Sequence, residues 1–135
     1  MKKKIKVICT AMLLLCLTAC SFEQIHTDKL QELEFTVLKE EEIPEELQSV
    51  IEEKKKEPMK VTYADQGYLY AAVGYGKQET SGYSITVDEC YETDNAICIH
   101  TSLLGPKKDE KVSEKASYPY LVIKTEAIDK VVEFD

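Results

Sequence analysis

The spacing of hydrophobic positions changes several times along the chain, and each change marks a different element. Residues 7–19 form a nearly continuous apolar run that follows lysines at positions 2, 3, 4 and 6. The run is shorter than the ~20 residues that a membrane-spanning helix needs, and its charged start and small-residue end are typical of a secretory signal peptide. The pattern therefore predicts a signal segment over residues 1–19.

The last four residues of this region, Leu17-Thr18-Ala19-Cys20, resemble the lipobox of bacterial lipoproteins. In such proteins the thiol of the cysteine carries a diacylglycerol, and the cysteine becomes the first residue of the mature protein after cleavage. Two acyl chains suffice for stable anchoring, since each buried methylene contributes ~0.8 kcal/mol. We therefore expect lipidation of Cys20, a location on the extracytoplasmic face of the cell membrane, and a polar tether over residues 20–32. The alternatives are an ordinary secreted protein, in which Cys20 has no such role, and an uncleaved N-terminal anchor.

One segment after the tether has helical spacing. Its apolar residues recur every three or four positions and share one face: Ile43, Leu47, Val50 and Ile51. Pro44 suits the first position of a helix, acidic residues crowd the positive end of the helix dipole, and Pro58 prevents continuation. These signals predict one N-terminal helix.

The spacing that follows is that of β-strands. Residues 68–75 form a continuous apolar run, which predicts a central strand with both faces covered. Apolar and polar positions alternate in the other strand candidates, which are residues 33–37, 59–63, 83–91, 97–103, 118–124 and 131–134. The pattern predicts an α+β domain over residues 33–135, in which the helix packs on one largely antiparallel sheet of six or seven strands.

Composition restricts the function classes. A chain of 135 residues fits one domain, since domains typically have ~100 to 150 residues. Four of the 17 basic residues lie in the first six positions, so the rest of the chain has 13 lysines against 25 acidic residues and a net charge of −12. So acidic a surface repels phosphate groups, which argues against nucleic-acid binding and against electrostatic docking on anionic lipid.

Cysteine positions suggest a disulfide. Cys90 and Cys98 are the only cysteines after Cys20, and they are equidistant from Asp94 in a predicted hairpin. A strict two-residue alternation places both on the polar face, directly opposite each other, where a bridge is geometrically possible. A disulfide is therefore the preferred interpretation, and two unpaired thiols are the alternative. Adding His100 gives a spacing that matches no common zinc pattern, so no metal site is predicted.

Catalytic motifs are missing from the sequence. The chain has two histidines and contains neither Gly-x-Ser-x-Gly nor His-Glu-x-x-His nor a phosphate-binding glycine loop. The abundant carboxylates stand in solvated runs, not isolated within apolar stretches, so nothing marks a carboxyl group of raised pKa. We therefore expect a protein that is not an enzyme and needs no cofactor, and a hydrolase without a known motif is the alternative.

Two segments carry a family resemblance. Residues 80–87, Thr-Ser-Gly-Tyr-Ser-Ile-Thr-Val, and residues 117–124, Ser-Tyr-Pro-Tyr-Leu-Val-Ile-Lys, resemble the signature segments of the protease-complex subunit PrcB family. The resemblance covers roughly residues 66–124, and Ser81 stands where the family usually has a glycine. It implies a non-catalytic extracytoplasmic module that binds another exported protein, and a protease is the partner that the family name implies.

The candidate partner-binding residues lie in these segments: Gly82, Tyr83, Tyr118, Pro119 and Tyr120. The glycine is expected to supply a positive φ or a close approach of the backbone. Tyrosines are frequent in protein interfaces, although half-buried core tyrosines are the alternative interpretation. Two other functions stay open, a protease inhibitor that presents residues 105–117 to an active site and a module that binds a small ligand or the cell wall.

Overall fold

The computed structural model describes residues 29–135. The predicted signal segment 1–19, Cys20 and most of the predicted tether lie outside the described residues. Among the described residues, no helix is both long and apolar enough to cross a membrane. The elements, in chain order, are β1 (Gln31–Glu32), β2 (Thr36–Val37), a 3-10 helix (Glu40–Glu42), α1 (Glu45–Lys54), β3 (Pro58–Asp65), β4 (Tyr68–Tyr75), β5 (Ser84–Glu92), β6 (Ala96–Leu104), β7 (Tyr120–Glu126) and β8 (Val131–Phe134).

The strands form two sheets of four strands each. The first has the order β1-β5-β6-β8, the second has the order β2-β7-β4-β3, and all neighbours are antiparallel except β6 and β8. The α+β class and the N-terminal helix are thus confirmed, whereas the expectation of one sheet is wrong. Alternation along a strand shows which face is buried, but it carries no information on whether the covering layer is a helix or a second sheet.

The second sheet is the middle layer of the molecule. One of its faces packs on α1 through residues of the helix, β3, β4 and β7: Leu47, Ile51, Met59, Tyr70, Ala72 and Val122. Its other face packs on the first sheet through a second cluster: Leu69, Ala71, Cys90, Ile97, Ile99 and Ile123. Successive residues of β4 belong to different clusters, so its continuous apolar run is explained by burial on both faces.

The helix forms where the sequence predicts it, with a small difference at its start. Leu47 and Ile51, one turn apart, are its two fully buried residues. Pro44 is the N-cap and not the first helical residue, and Glu45 and Glu46 occupy the first turn near the positive end of the dipole. The helix is therefore stabilised mainly by packing of one apolar stripe on the second sheet.

The strand registers place the chain connections at two opposite ends of the molecule. β1 pairs with the last residues of β5, where Gln31 lies opposite Glu92, so the described chain begins at the end that holds the 93–95 turn. Residues 76–83 and 105–119 connect strands at the other end. Strands of eight or nine residues separate the two ends by about 25 Å, at ~3.3 Å per residue.

Candidate partner-binding site

The two connections at the far end are hydrogen-bonded to each other. We call residues 76–83 and 105–119 the loop end. The Ser81 backbone N–H donates to the Ser113 carbonyl at 3.0 Å, and the Ser113 N–H donates back to the Ser81 Oγ at 2.8 Å. Because each serine satisfies the other, the tip of the long loop is held against the shorter loop.

A second contact joins the loops closer to the sheet. Gln78 and Ser117 exchange both backbone hydrogen bonds, at 2.8 and 3.0 Å, as in a β-bridge. The Ser117 hydroxyl also donates to the Thr80 carbonyl at 2.7 Å. The two segments that carry the family resemblance therefore touch where both begin, although 37 residues separate Thr80 from Ser117.

Gly82 lies where these loops pack most closely. Its φ is +95°, in the region that side chains disfavour. A Cβ at this position would lie 2.8 Å from Val112 Cγ1 and 2.9 Å from Pro106 Cβ. Both conditions expected of this glycine, a positive φ and a close approach, are met.

The four other candidate residues divide between the two sheets. Tyr120 faces α1, where its hydroxyl accepts a hydrogen bond from Gln48 Nε2 at 3.4 Å, and the Pro119 carbonyl accepts one from the Tyr75 N–H at 3.2 Å. Tyr83 leads into β5 of the other sheet, and Tyr118 lies half-buried in the loop end. Tyr120 is thus a packing residue of the helix layer, and Tyr83 and Tyr118 are the aromatic residues that stay within the loop end.

Charge is unevenly distributed over the described chain. Residues 29–135 contain 13 lysines and 23 acidic residues, a net charge of −10. The loop end holds five of those lysines, all exposed, against four acidic residues: Lys77, Lys107, Lys108, Lys111 and Lys115. None of the five forms an ion pair with another described residue. The loop end therefore has a net charge of +1, from five lysines and four acidic residues, in a domain that is acidic as a whole.

The predicted disulfide geometry is wrong by one residue. Cys90 lies opposite Ile99, and Cys98 lies opposite Tyr91, so the two cysteines point to opposite faces of the first sheet. Both are free thiols. The hairpin turn is centred between Asp94 and Asn95 and not on Asp94, since Glu92 lies opposite Ile97 and the Thr93 N–H donates to the Ala96 carbonyl. An extra residue in β5 between Val87 and Glu89 accommodates this register, and Cys90 faces the core between the sheets.

The surroundings of the two thiols do not activate them. Burial raises the pKa of the Cys90 thiol to about 11 and also raises the pKa of Cys98. His100 shares a face with Cys98, and its Nδ1 lies 2.8 Å from Asp135 Oδ2. A nucleophilic cysteine needs a lowered pKa, so this row of Cys, His and Asp lacks the property that thiol catalysis requires. Within residues 29–135, no three His, Cys, Asp or Glu side chains are grouped as metal ligands.

The sequence identifies part of this site and misses the rest. Gly82, Tyr83 and Tyr118 are found from the resemblance, but the residues that join the loops, above all Ser113, are not. The long loop has no periodicity, and serine is common in turns, so no local pattern marks Ser113 as the partner of Ser81. Only a contact between the two segments shows it.

Comparisons with known proteins agree with the segments that form this site. Residues 69–126, which run from β4 to the end of β7, match the family model described as PrcB C-terminal. No curated protein and no solved structure matches the chain. The matched range contains Gly82, Tyr83 and the Tyr118–Tyr120 segment. The resemblance seen in two short segments is thereby confirmed, since residues 69–126 are similar to the PrcB C-terminal family.

Proposed function

We propose that the protein is a membrane-anchored accessory subunit that binds another exported protein, a protease, through its loop end and has no catalytic activity of its own. The family match over residues 69–126 supports association with a protease complex. The lipobox-like segment that ends at Cys20 supports the anchor. The unactivated thiols of Cys90 and Cys98 support a non-catalytic role.

One observation carries the choice of surface: the two family segments are hydrogen-bonded to each other at the loop end. These contacts hold the exposed loops in one arrangement before a partner binds. A preorganised surface loses less conformational entropy on association than a free loop does. Half-buried tyrosines beside it provide the kind of side chain that is frequent among interface hot spots.

The position of the loop end suits a protein tethered at its other end. The described chain begins beside β1, and the loop end lies at the opposite end of both sheets. With an anchor at Cys20, the end nearest the membrane is the one that holds β1. The loop end then faces away from the lipid, where a second exported protein reaches it.

Replacement of an aromatic side chain tests the surface. Tyr118→Ala is expected to weaken association by ~1 to 3 kcal/mol, because truncation of a hot-spot residue has effects of this size. Tyr68→Ala is the matched control, since Tyr68 is 42% exposed and lies at the opposite end of β4. The measurement is recovery of the exported partner after cross-linking in intact cells and purification of each variant.

Stability has to be measured in parallel, because Tyr118 is half-buried. A Tyr118→Ala protein with an unchanged melting temperature and reduced partner recovery supports the proposal. Unchanged recovery with a stable fold contradicts the loop end as the binding surface. Equal losses of stability and recovery identify Tyr118 as a packing residue, and they contradict its role as a hot spot.

Two alternative functions make different predictions. A protease inhibitor presents residues 105–117 to an active site, so a co-secreted protease cleaves that loop slowly and is inhibited at nanomolar concentration. A module for small ligands needs a pocket, and a cavity of about 920 Å³ lies beside residues 31–36, Tyr68 and Lys124. Slow cleavage of that loop together with nanomolar inhibition favours the inhibitor, and ligand binding in that cavity without a protein partner favours the ligand-binding module.

A further inference from the structure

β3 has an unpaired edge. Among the described strands it is the last of the second sheet, and its only neighbour is β4. The register shows which of its backbone groups point outwards. The Tyr75 N–H donates to Pro119 on the β7 side, so Pro58, which lies opposite Tyr75, turns its backbone away from β4.

The direction of the backbone N–H and C=O groups alternates from residue to residue along a strand, so these groups point outwards at every second residue of β3. Lys60, Thr62 and Ala64 therefore present free N–H groups, and Pro58 adds only its carbonyl. Within residues 29–135, no other element donates or accepts a backbone hydrogen bond along this edge. The side chains of these four residues are exposed as well. The edge thus offers three donors and four acceptors in a straight row.

A cavity of about 420 Å³ opens beside the same edge. Its walls include Pro58 and Val73 of the second sheet and Phe134 of the first sheet. The hydroxyls of Tyr75 and Thr101 hydrogen-bond to each other at 2.7 Å across the gap between the sheets. The volume is in the range of binding pockets, and the mainly apolar walls suit a hydrophobic side chain.

Lys60 provides a charge at the mouth of this cavity. Its side chain lies on the same face as those of Pro58 and Val73, and it forms no ion pair with another described residue. A carboxylate placed directly opposite Lys60 on an added strand would form a cross-strand ion pair.

We propose that β3 binds an extended peptide segment of another protein, which adds to the second sheet as an antiparallel strand. The residue opposite Lys60 is acidic, and the residue opposite Pro58 is large and apolar and enters the cavity. Main-chain hydrogen bonds then supply affinity, and the side chains two positions apart supply selectivity, as in other cases of strand addition. This site borders the loop end, since Gly76 packs against Pro58, but it uses other residues and does not depend on the function proposed above.

The probe is the synthetic peptide acetyl-Val-Thr-Thr-Thr-Glu-Thr-Phe-amide, which places Glu opposite Lys60 and Phe opposite Pro58. Saturable binding is measured by fluorescence anisotropy of a labelled copy, and backbone amide exchange is followed by NMR. We expect the amides of Lys60, Thr62 and Ala64 to exchange rapidly in the free protein and to become protected when the peptide binds. Peptides with Lys for Glu, or Ser for Phe, are expected to bind at least fivefold more weakly.

Variants of β3 separate strand addition from other kinds of binding. Thr62→Pro removes an outward N–H that β4 does not use, so the fold tolerates it and peptide affinity is expected to fall at least tenfold. Thr62→Val keeps the amide and is the matched control. Lys60→Glu is expected to weaken binding at least fivefold, and the peptide with Lys for Glu is expected to restore it.

Three outcomes overturn the proposal: no saturable binding of the peptide, equal affinity of Thr62→Pro and Thr62→Val, or protection at amides outside β3. If N-acetyl-phenylalaninamide binds as tightly as the peptide, and Thr62→Pro affects neither, the cavity takes a phenylalanine side chain alone and no strand adds to β3, and this also overturns the proposal. If Thr62→Pro fails to fold, the test is the charge exchange between Lys60→Glu and the peptide with Lys for Glu. The Lys60 side chain is exposed, so its replacement is not expected to disturb the fold.

Discussion

Single residues decide which face of a strand the next side chains occupy. The irregularity between Val87 and Glu89 adds one residue to β5, and this moves Cys90 from the outer face of the first sheet into the core. A shift of one position exchanges every side chain between the two faces. The polar and apolar pattern marks neither the bulge nor the centre of the turn, which lies between Asp94 and Asn95. The sequence alone therefore predicts a disulfide that the register does not permit.

Cys90 is expected to be chemically inert in the folded protein. With a pKa of about 11, only about one thiol in a thousand is ionised at pH 8, and the side chain is buried. N-ethylmaleimide should therefore leave Cys90 unlabelled in the native state and label it fully in guanidinium. Peptide mapping by mass spectrometry checks this at Cys90 and Cys98 separately.

Two results would contradict this expectation. One is fast labelling of Cys90 in the native protein at pH 8. The other is an intact mass lower by two hydrogens in the unreduced sample, with no alkylation after unfolding, since this would show a bridge between Cys90 and Cys98. A protein treated with reductant before alkylation is the control.

At the scale of elements, the sequence predicts what local burial determines. The stripe that contains Leu47 and Ile51 identifies α1, and the apolar run of β4 correctly indicates cover on both faces. Such patterns do not show which strands pair when they are distant in the sequence. β1 and β2 have two residues each, and Thr36 pairs with Lys124, 88 positions away. The alternation over residues 33–37 predicts one strand, whereas the structure has β2 at Thr36–Val37 and β1 at Gln31–Glu32 in the other sheet. Alternation does not show which sheet a strand joins, so the split into two sheets stays hidden in the sequence.

Packing between the loops predicts unequal costs for two glycine replacements. Gly82→Ala is expected to lower the free energy of unfolding by ~2 to 4 kcal/mol, because the positive φ adds strain and the new methyl group overlaps Val112 and Pro106. Gly67→Ala also introduces a side chain at positive φ, but nothing lies within 4 Å of its Cβ. Its expected cost is ~1 to 2 kcal/mol, from strain alone.

Urea denaturation of the two variants and the wild type checks this difference. The comparison isolates the contact between the loops, because both glycines have similar φ values, +95° and +84°. Equal losses in the two variants would mean that the loop end relaxes around the added methyl group. The loops would then be less firmly joined than their hydrogen bonds indicate.

At the scale of the molecule, chain connections and charge give the domain two unlike ends. One end holds β1 and the start of the described chain, and the other holds the loop end with its five exposed lysines. The helix and the first sheet pack on opposite faces of the second sheet, and β4 contributes to both clusters, so the three layers form one continuous packing arrangement. The layers are therefore expected to unfold together.

Anchoring is tested on the whole protein. Cys20→Ala removes the thiol that would carry the lipid, so we expect an unprocessed precursor without lipid attachment. Metabolic labelling with a fatty acid and fractionation of membranes measure this. Ser21→Ala is the matched control and should be processed normally. A Cys20→Ala protein that is processed and retained in membranes like the wild type would contradict the lipid anchor.

The two shortest strands also affect how far the domain can reach. Residues 31–37 pass from β1 in one sheet to β2 in the other, and each strand is only two residues long. A segment held by so few backbone hydrogen bonds opens at a lower cost in free energy than the long hairpins do. Opening this segment would leave β3–β7 paired and release seven residues, or up to about 24 Å of extended chain. The first strands thus hold spare length of chain, and with the proposed anchor at Cys20 this length would let the domain follow a partner outwards without unfolding.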